Sequence, residues 1–392
     1  MKKLVLPVVV FLLFIFSPTA SANTTEEVVN TQDLVNEQIE KLNIDELSKF
    51  WDDVILEYGG FLPESQKGSF VQFLNGEKDF SISEWGTAFL KYIFHEFVVN
   101  GKLLATLIFL TIFSIFLQSL QTAFESNTIS KVAYSLVFMV LMVLALNSFQ
   151  IVVQYTIDTI DTMISFVLAL VPLLLALIAS SGGIISAGFF HPIILFLMNT
   201  SGVFMQFVVL PLLFLSFILS IVSILSEHYK VTQLSNMLKN WSIGLMGAFL
   251  TIFLAVISVQ GTAAAISDGI ALKTAKFVAG NFIPVVGRLF TEATDTVISA
   301  SVLLKNTVGI VGMGVLLVVI AFPAIKILLI AFIYKFAAAI LQPLGGGTII
   351  KCLDTISKSI VYVFACLAIV SFMFFLTLTV IIAAGNLTMM VR

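Results

Sequence analysis

The sequence has few charged residues and few cysteines, and each shortage excludes a class of protein. Only 11% of its 392 residues are charged, against about 25% in an ordinary soluble domain. No soluble core could take up an apolar content of 59%, so we predict an all-α fold, a polytopic helical membrane protein. Two cysteines, Cys352 and Cys366, are too few for a disulfide framework.

The sequence also lacks the motifs of catalysis and nucleotide binding. It contains no G-x-S-x-G, H-E-x-x-H or G-x-x-x-x-G-K-[ST] pattern. Its three histidines, His95, His191 and His228, form no recognisable catalytic grouping. We therefore expect no enzyme, no cofactor and no metal site. The polar part carries no basic run, so we expect no nucleic-acid partner.

The first residues have the features of a secretory signal peptide. Two lysines precede an apolar run from Leu4 to Phe16, and Ala20-Ser21-Ala22 follows as a cleavage site. We predict a cleaved signal peptide over residues 1–22, which places the next residues outside the membrane. An uncleaved anchor is the alternative.

Residues 23–100 form an acidic, polar segment. They hold 15 acidic and 5 basic side chains, and their apolar residues recur at helical intervals. We predict a small helical extracytoplasmic domain that packs on the membrane surface or on a partner.

Residues 101–392 consist of long apolar runs separated by short polar breaks, which predicts a multi-span membrane domain. Each run is long enough to cross about 30 Å of hydrocarbon as a helix. The predicted spans lie near 102–120, 132–153, 162–180, 191–225, 241–260, 308–332 and 359–385.

The number of crossings stays open at this point. The run 191–225 contains Pro211 and is either one kinked helix or two short segments folded back. Seven crossings, which we favour, leave the C-terminus inside, and eight leave it outside. The word FLTIF occurs at 109–113 and at 249–253, a weak hint of the internal repeat found in many permeases.

An amphipathic segment, 261–307, interrupts the apolar runs. On a helix over 288–306, one polar stripe forms a candidate conduit lining or partner contact. Alternatively the helix lies flat at the membrane interface. The stripe consists of Arg288, Glu292, Asp295, Ser299 and Asn306.

Glycines and a proline mark candidate hinges at the ends of the apolar runs. They are Pro284, Gly287, Gly345, Gly346 and Gly347. A pair of acids, Asp158 and Asp161, is spaced to carry protons or bind a cation, although solvated loop acids are the simpler interpretation.

Five long words give the chain a resemblance to a known family. They are EYGGFLPESQKGS (57–69), HPIILFLMNTSG (191–202), YKVTQLSNMLKN (229–240), DGIALKTAKF (268–277) and QPLGGG (342–347). In these words the chain resembles the stage III sporulation protein AE family of endospore-forming bacilli.

The resemblance implies a sporulation protein in the outer forespore membrane, the membrane that the mother cell supplies. It implies a subunit of a mother cell-to-forespore channel or secretion-like complex that sustains forespore development, with the N-terminal domain in the intermembrane space. The implied partners are the other subunits of the stage III sporulation complex, a forespore-made protein across the intermembrane space, and the lipid bilayer. An assembly scaffold without its own conduit and a stand-alone small-molecule permease are the alternatives.

Overall fold

The computed structural model describes residues 44–64, 67–74, 82–123, 128–225, 230–282, 286–344 and 347–390. The predicted signal peptide lies outside these ranges. Every regular element within them is helical, which confirms the predicted all-α, polytopic membrane class. The helices are α1 (Asp45–Tyr58), α2 (Phe70–Leu74), α3 (Ile82–Val99), α4 (Gly101–Ala123), α5 (Thr128–Ser180), α6 (Ile184–Phe204), α7 (Leu210–Leu225), α8 (Thr232–Phe282), α9 (Val286–Leu341) and α10 (Thr348–Met390).

The described residues contain six helices long and apolar enough to cross a membrane, where the sequence predicted seven spans. The difference lies in α5, a single helix of 53 residues that contains both predicted spans 132–153 and 162–180. The polar residues between those spans include no glycine or proline, so nothing there ends the helix. If each helix crosses once, six crossings put the C-terminus on the same side as the N-terminal domain.

The run 191–225 lies within one rod, Ile184–Leu225, and not in two segments folded back. Helices α6 and α7 join through a π-helical turn, Met205–Val209. Pro211 follows that turn directly. Proline has no N–H to donate and its ring crowds the preceding turn, which explains why the helical hydrogen-bond pattern shifts just before it.

Helices α5 to α10 form a bundle of long antiparallel neighbours. Along the α6–α7 rod and α8, Ile185 meets Asp268 at one end and Ser223 meets Thr232 at the other. Along α9 and α10, Lys305 meets Ile382 and Lys335 meets Asp354. Each pair of contacts keeps one register over about 30 residues or more, so these helices run straight beside each other for roughly 45 Å or more.

We call the two ends of this bundle proximal and distal. The proximal end carries the last residue of α7, Leu225, and the first residues of α8 and α10, and the distal end carries the α5–α6 turn at Gly182 and Gly183. Gly182 has a φ of 90°, a left-handed conformation that glycine adopts at little cost.

The bundle core is packed with apolar side chains. Helix α9 contacts α5 and α10 along most of its length, and two of its glycines allow close approach. A Cβ added at Gly309 would lie 2.5 Å from Ile382, and one at Gly312 would lie 2.6 Å from Leu170. Fully buried residues fill the seam between these helices: Phe166, Val167, Leu174, Leu304, Leu316, Phe322, Leu367 and Phe374.

The acidic N-terminal segment packs against the middle of the bundle. The ring of Tyr58 stacks on Phe322 with centroids 4.2 Å apart, and Tyr92 meets the same ring edge-on at 4.8 Å. Phe50 of α1 contacts Phe166 of α5 at 5.7 Å. Aromatic contacts of this kind stabilise a docked element beyond the area they bury. The N-terminal helices therefore sit halfway along α5 and α9 and not at either end.

Candidate functional site

A belt of polar side chains lies at mid-length of the bundle, in the stretch that joins the two predicted spans of α5. Gln154 donates from Nε2 to Asp158 Oδ1 at 2.7 Å, and Gln206 of the π-turn donates to Asp161 Oδ1 at 2.6 Å. Asp158 and Asp161 are exposed. Helix geometry places them three residues apart and hence on neighbouring positions of one face. They lie in the middle of a long helix, not in a loop.

The belt opens into an acidic groove of about 1060 Å³ between α1, α5 and α9. Lys49 is the one basic residue in the groove lining, against five carboxylates. The groove therefore favours cations or basic segments through its summed field. Its acidic residues are Glu46, Asp53, Glu57, Asp158 and Asp161.

A buried charge network joins α3 to the bundle at the edge of the groove. Glu96 is 7% exposed and lies 3.8 Å from the Lys326 Nζ. The same Nζ lies 4.4 Å from the centroid of the Tyr155 ring. Asn100 donates from Nδ2 to Glu96 Oε2 at 2.9 Å. The carboxylate thus has both a cation and a hydrogen-bond donor, as a buried charge requires.

Two tyrosines of the N-terminal segment stay neutral in this setting. Burial raises the pKa of Tyr58, and Glu57 raises it further. Burial also raises the pKa of Tyr92, and nearby Glu96 adds to the shift. Their phenols therefore act as hydrogen-bonding and aromatic groups and add no negative charge to the groove.

A second buried acid, Asp268, holds the distal turn together. Its Oδ1 accepts hydrogen bonds from the backbone N–H groups of Ile185 at 3.0 Å and Ser186 at 3.2 Å, and it is 1% exposed. These N–H groups belong to the first turn of α6, where no intrahelical acceptor exists. The carboxylate caps α6 from a different helix and is favoured by the positive end of its dipole.

The amphipathic segment 261–307 is divided between two helices. Helix α8 continues about 14 residues, roughly 21 Å, past Asp268 before it ends at Phe282. Helix α9 then begins at Val286. Asp268 lies level with the α5–α6 turn, so the end of α8 and the start of α9 extend beyond that turn.

The structure describes only part of the predicted polar stripe. Arg288, Glu292 and Asp295 fall within α9, but their side chains are outside the described part of the chain. Ser299 is exposed and Asn306 is half-buried. The Asn306 Oδ1 is buried, with no hydrogen-bond partner among the described residues.

The candidate hinges also fall partly outside the described ranges. Pro284, Gly345 and Gly346 lie outside them. Gly287 is the second residue of α9, and Gly347 directly precedes α10.

Two interior charges were missed by the sequence interpretation. Lys305 and Asp268 were both counted as residues of a polar connection, whereas the structure buries each of them in a helix contact. A clue was present, because each stands alone among apolar residues at helical spacing. Sequence periodicity is a local property, so it does not predict which helix packs against these two residues.

The described residues bring no three histidine, cysteine, aspartate or glutamate side chains together in a metal-binding arrangement. Cys352 and Cys366 are free and buried. They behave as small apolar groups in the core.

Together these features define a helical polytopic membrane protein with six candidate spans, polar groups at mid-length and at the ends, and an N-terminal segment docked on the middle. The chain belongs to the stage III sporulation protein AE family, whose model matches residues 65–385. It is 62% identical over 379 residues to Stage III sporulation protein AE of Bacillus subtilis (strain 168), covering 96% of this chain and 95% of that protein. No solved structure matches the chain.

Proposed function

We propose that this sporulation protein is a membrane subunit of a mother cell-to-forespore channel or secretion-like complex. In this proposal it resides in the outer forespore membrane and sustains forespore development. Family membership supports the sporulation role. Two observations support the rest: five apolar rods are each about twice the thickness of a bilayer core, and α5 carries polar side chains at mid-length, where the N-terminal segment docks.

The apolar rods are too long for one bilayer. The candidate spans over α5 and α9 contain 46 and 48 residues, or roughly 70 Å each at about 1.5 Å per residue. The hydrocarbon core is about 30 Å thick. A tilt of more than about 60° would be needed to hide such a rod in lipid, far beyond the usual range. Only one half of the bundle therefore lies in hydrocarbon.

The length and position of helix α4 indicate that the proximal half of the bundle is the half embedded in the membrane. Its apolar span, Gly101–Ser119, is one bilayer long and is mostly uncovered by the rest of the chain. It begins beside the docking site, since Glu96 of the preceding helix meets Lys326. It ends near the proximal connection, where Gln118 approaches Gly347. The N-terminal segment then lies at the outer membrane surface, which agrees with the predicted signal peptide.

The distal half then lies in the intermembrane space and needs a protein cover. Large apolar side chains of α6 and α8 are exposed there, and water would penalise a patch of this size. Other subunits of the stage III sporulation complex, or the forespore-made partner, supply that cover in our proposal. The exposed residues include Ile184, Phe189, Phe196, Val259, Ile266 and Ile270.

A conduit, if this chain contributes one, forms between chains. The seam between α5, α9 and α10 is filled with buried apolar side chains, and the large acidic groove opens sideways. This favours a subunit that lines a shared path or supports one over a stand-alone permease. The polar stripe from Arg288 to Asn306 is the candidate contact, as lining or as a scaffold surface.

Membrane placement is tested by introducing one exposed cysteine at a time and labelling it with a membrane-impermeant thiol reagent. Cys352 and Cys366 are buried, so their background in the folded chain is low. The matched sites are Ser180→Cys at the distal turn and Lys230→Cys at the proximal end, both exposed. We expect labelling of Ser180→Cys from the outside and of Lys230→Cys from the cytoplasm. The opposite pattern, or labelling of both from one side, would refute the placement.

The role of the stripe is tested in sporulating cells. Arg288→Ala and Glu292→Ala should each lower spore yield at normal protein level, whereas Lys273→Ala, on the neighbouring helix, serves as the control. Ser299→Cys then separates lining from scaffold. Labelling that persists in the assembled complex indicates a hydrated path, and protection indicates a packed partner. Normal sporulation of both stripe variants would remove the stripe from the mechanism.

A further inference from the structure

A basic pocket of about 440 Å³ lies at the proximal end, between α7, α8 and α10. Its lining contains four lysines and no carboxylate among the described residues. The remaining lining residues are mainly hydroxyl-bearing, so the pocket offers hydrogen-bond donors as well as positive charge. The four lysines are Lys230, Lys239, Lys351 and Lys358.

Three of these four lysines have no ion-pair partner in the part of the chain that the structure describes. Lys358 pairs with Asp354 at 2.7 Å, and Asp354 is shared with Lys335. Lys239 donates to the Asn236 Oδ1 at 3.0 Å and lies 5.8 Å from the centroid of the Tyr362 ring. Among the described residues, one carboxylate therefore faces several ammonium groups, and these residues give the pocket a net positive charge.

The pocket also receives the N-terminal ends of two long helices. Helix α8 begins at Thr232 and helix α10 at Thr348, and both residues line the pocket. The first N–H groups of a helix have no intrahelical acceptor and carry the positive end of its dipole. Two such ends beside the lysines strengthen the preference for an anion.

Hydroxyl groups form a fixed wall behind the lysines. Ser216 donates from Oγ to the carbonyl oxygen of Ser235 at 2.8 Å, and Ser235 returns the bond to the carbonyl of Ser216 at 2.8 Å. These bonds hold α7 against α8. The cavity therefore lies between helices already fixed to each other.

We propose that this pocket binds a phosphate-class anion. The phosphate has two possible sources, the head group of an anionic membrane lipid and free phosphate in solution. Lysines supply point charges suited to phosphate, and basic pockets between membrane helices bind anionic head groups. The pocket lies at the end of the candidate spans of α7, α8 and α10, at the depth of a head group. This inference does not depend on the proposed channel role.

The test measures phosphatidylglycerol retained by the full chain in nanodiscs of phosphatidylcholine with phosphatidylglycerol, counted by native mass spectrometry. Inorganic phosphate binding to the detergent-solubilised chain is measured separately by calorimetry.

The test variant is Lys230→Gln/Lys351→Gln, and the matched control is Lys102→Gln/Lys273→Gln, which removes two exposed lysines elsewhere. With roughly a fivefold contribution from each lysine, the test variant should bind about thirtyfold more weakly.

Two further variants guard against misfolding. Lys230→Arg/Lys351→Arg keeps the charge and should retain binding. Asp354→Asn removes the one neighbouring carboxylate and should strengthen binding several-fold. Lipid retention that depends on the two lysines identifies a head-group site, and lysine-dependent binding of inorganic phosphate alone identifies a free-phosphate site. The proposal is overturned if the test and control variants lose lipid equally, or if neither probe binds the unmodified chain.

Discussion

The Nζ of Lys305 donates a hydrogen bond of 2.8 Å to the backbone carbonyl oxygen of Ile382, across the contact between α9 and α10. Lys305 is fully buried although its side chain ends in an ammonium group. The carbonyl offsets part of the free energy that burying an ammonium group costs. The contact therefore fixes which face of α9 meets α10.

Two substitutions of Lys305 distinguish the effect of its charge on stability from the effect of its volume. Lys305→Met keeps most of the volume but removes the ammonium group with its desolvation cost and its hydrogen bond, so we expect a clearly smaller loss of stability than in Lys305→Ala. Lys305→Ala leaves a cavity and should cost about 2–4 kcal/mol. Thermal unfolding is followed with a thiol-reactive fluorophore, because Cys352 and Cys366 are buried until the bundle opens. A loss in Lys305→Met as large as in Lys305→Ala would show that the ammonium group is needed.

The close contact between α9 and α10 at Gly309 predicts that a larger side chain there destabilises the bundle. Gly309→Leu would drive its side chain into Ile382, and overpacking of this kind costs about 1–3 kcal/mol or more. Gly247→Leu is the matched control, since no atom lies within 4 Å of a Cβ there. The control should keep or raise the unfolding temperature, because leucine favours the helix more than glycine. Equal effects of the two substitutions would contradict the observed contact.

The Glu96–Lys326 contact predicts a non-additive double substitution. Lys326→Gln leaves the Glu96 carboxylate buried without its cation and should lower the free energy of unfolding by roughly 1–3 kcal/mol. Glu96→Gln/Lys326→Gln should recover part of that loss, since no charge is then stranded. A double-mutant cycle on the unfolding temperature measures the coupling. Strict additivity would mean that the two side chains do not interact.

Asp268 gives a prediction about the distal turn. Asp268→Asn keeps the shape and loses the charge at the first turn of α6, which should cost about 1–2 kcal/mol. Asp268→Ala removes both acceptors and should cost more. Amide hydrogen exchange at Ile185 and Ser186 is the direct measurement, and it should accelerate in both variants. Asp295→Asn, in the adjacent helix, is the comparison and should leave this exchange unchanged.

Sequence reasoning predicted the membrane class because hydropathy is a local property that each helix carries alone. It missed the continuity of α5, since the polar residues around Asp158 resemble a loop when only hydropathy is considered. The docking of the N-terminal segment was missed for a different reason. Tyr58 and Phe322 lie 264 positions apart in the chain, and the local sequence around either residue does not predict their contact.

That docking contact also sets an order of events during synthesis. Tyr58 leaves the ribosome early, but its stacking partner Phe322 follows only after α4 and three long rods have been made. The amino-terminal helices therefore cannot dock completely until α9 has been translated and inserted. Their full attachment to the middle of the bundle is a late step of maturation, and a chain truncated before α9 would keep the Phe166 contact but lose the Phe322 ring.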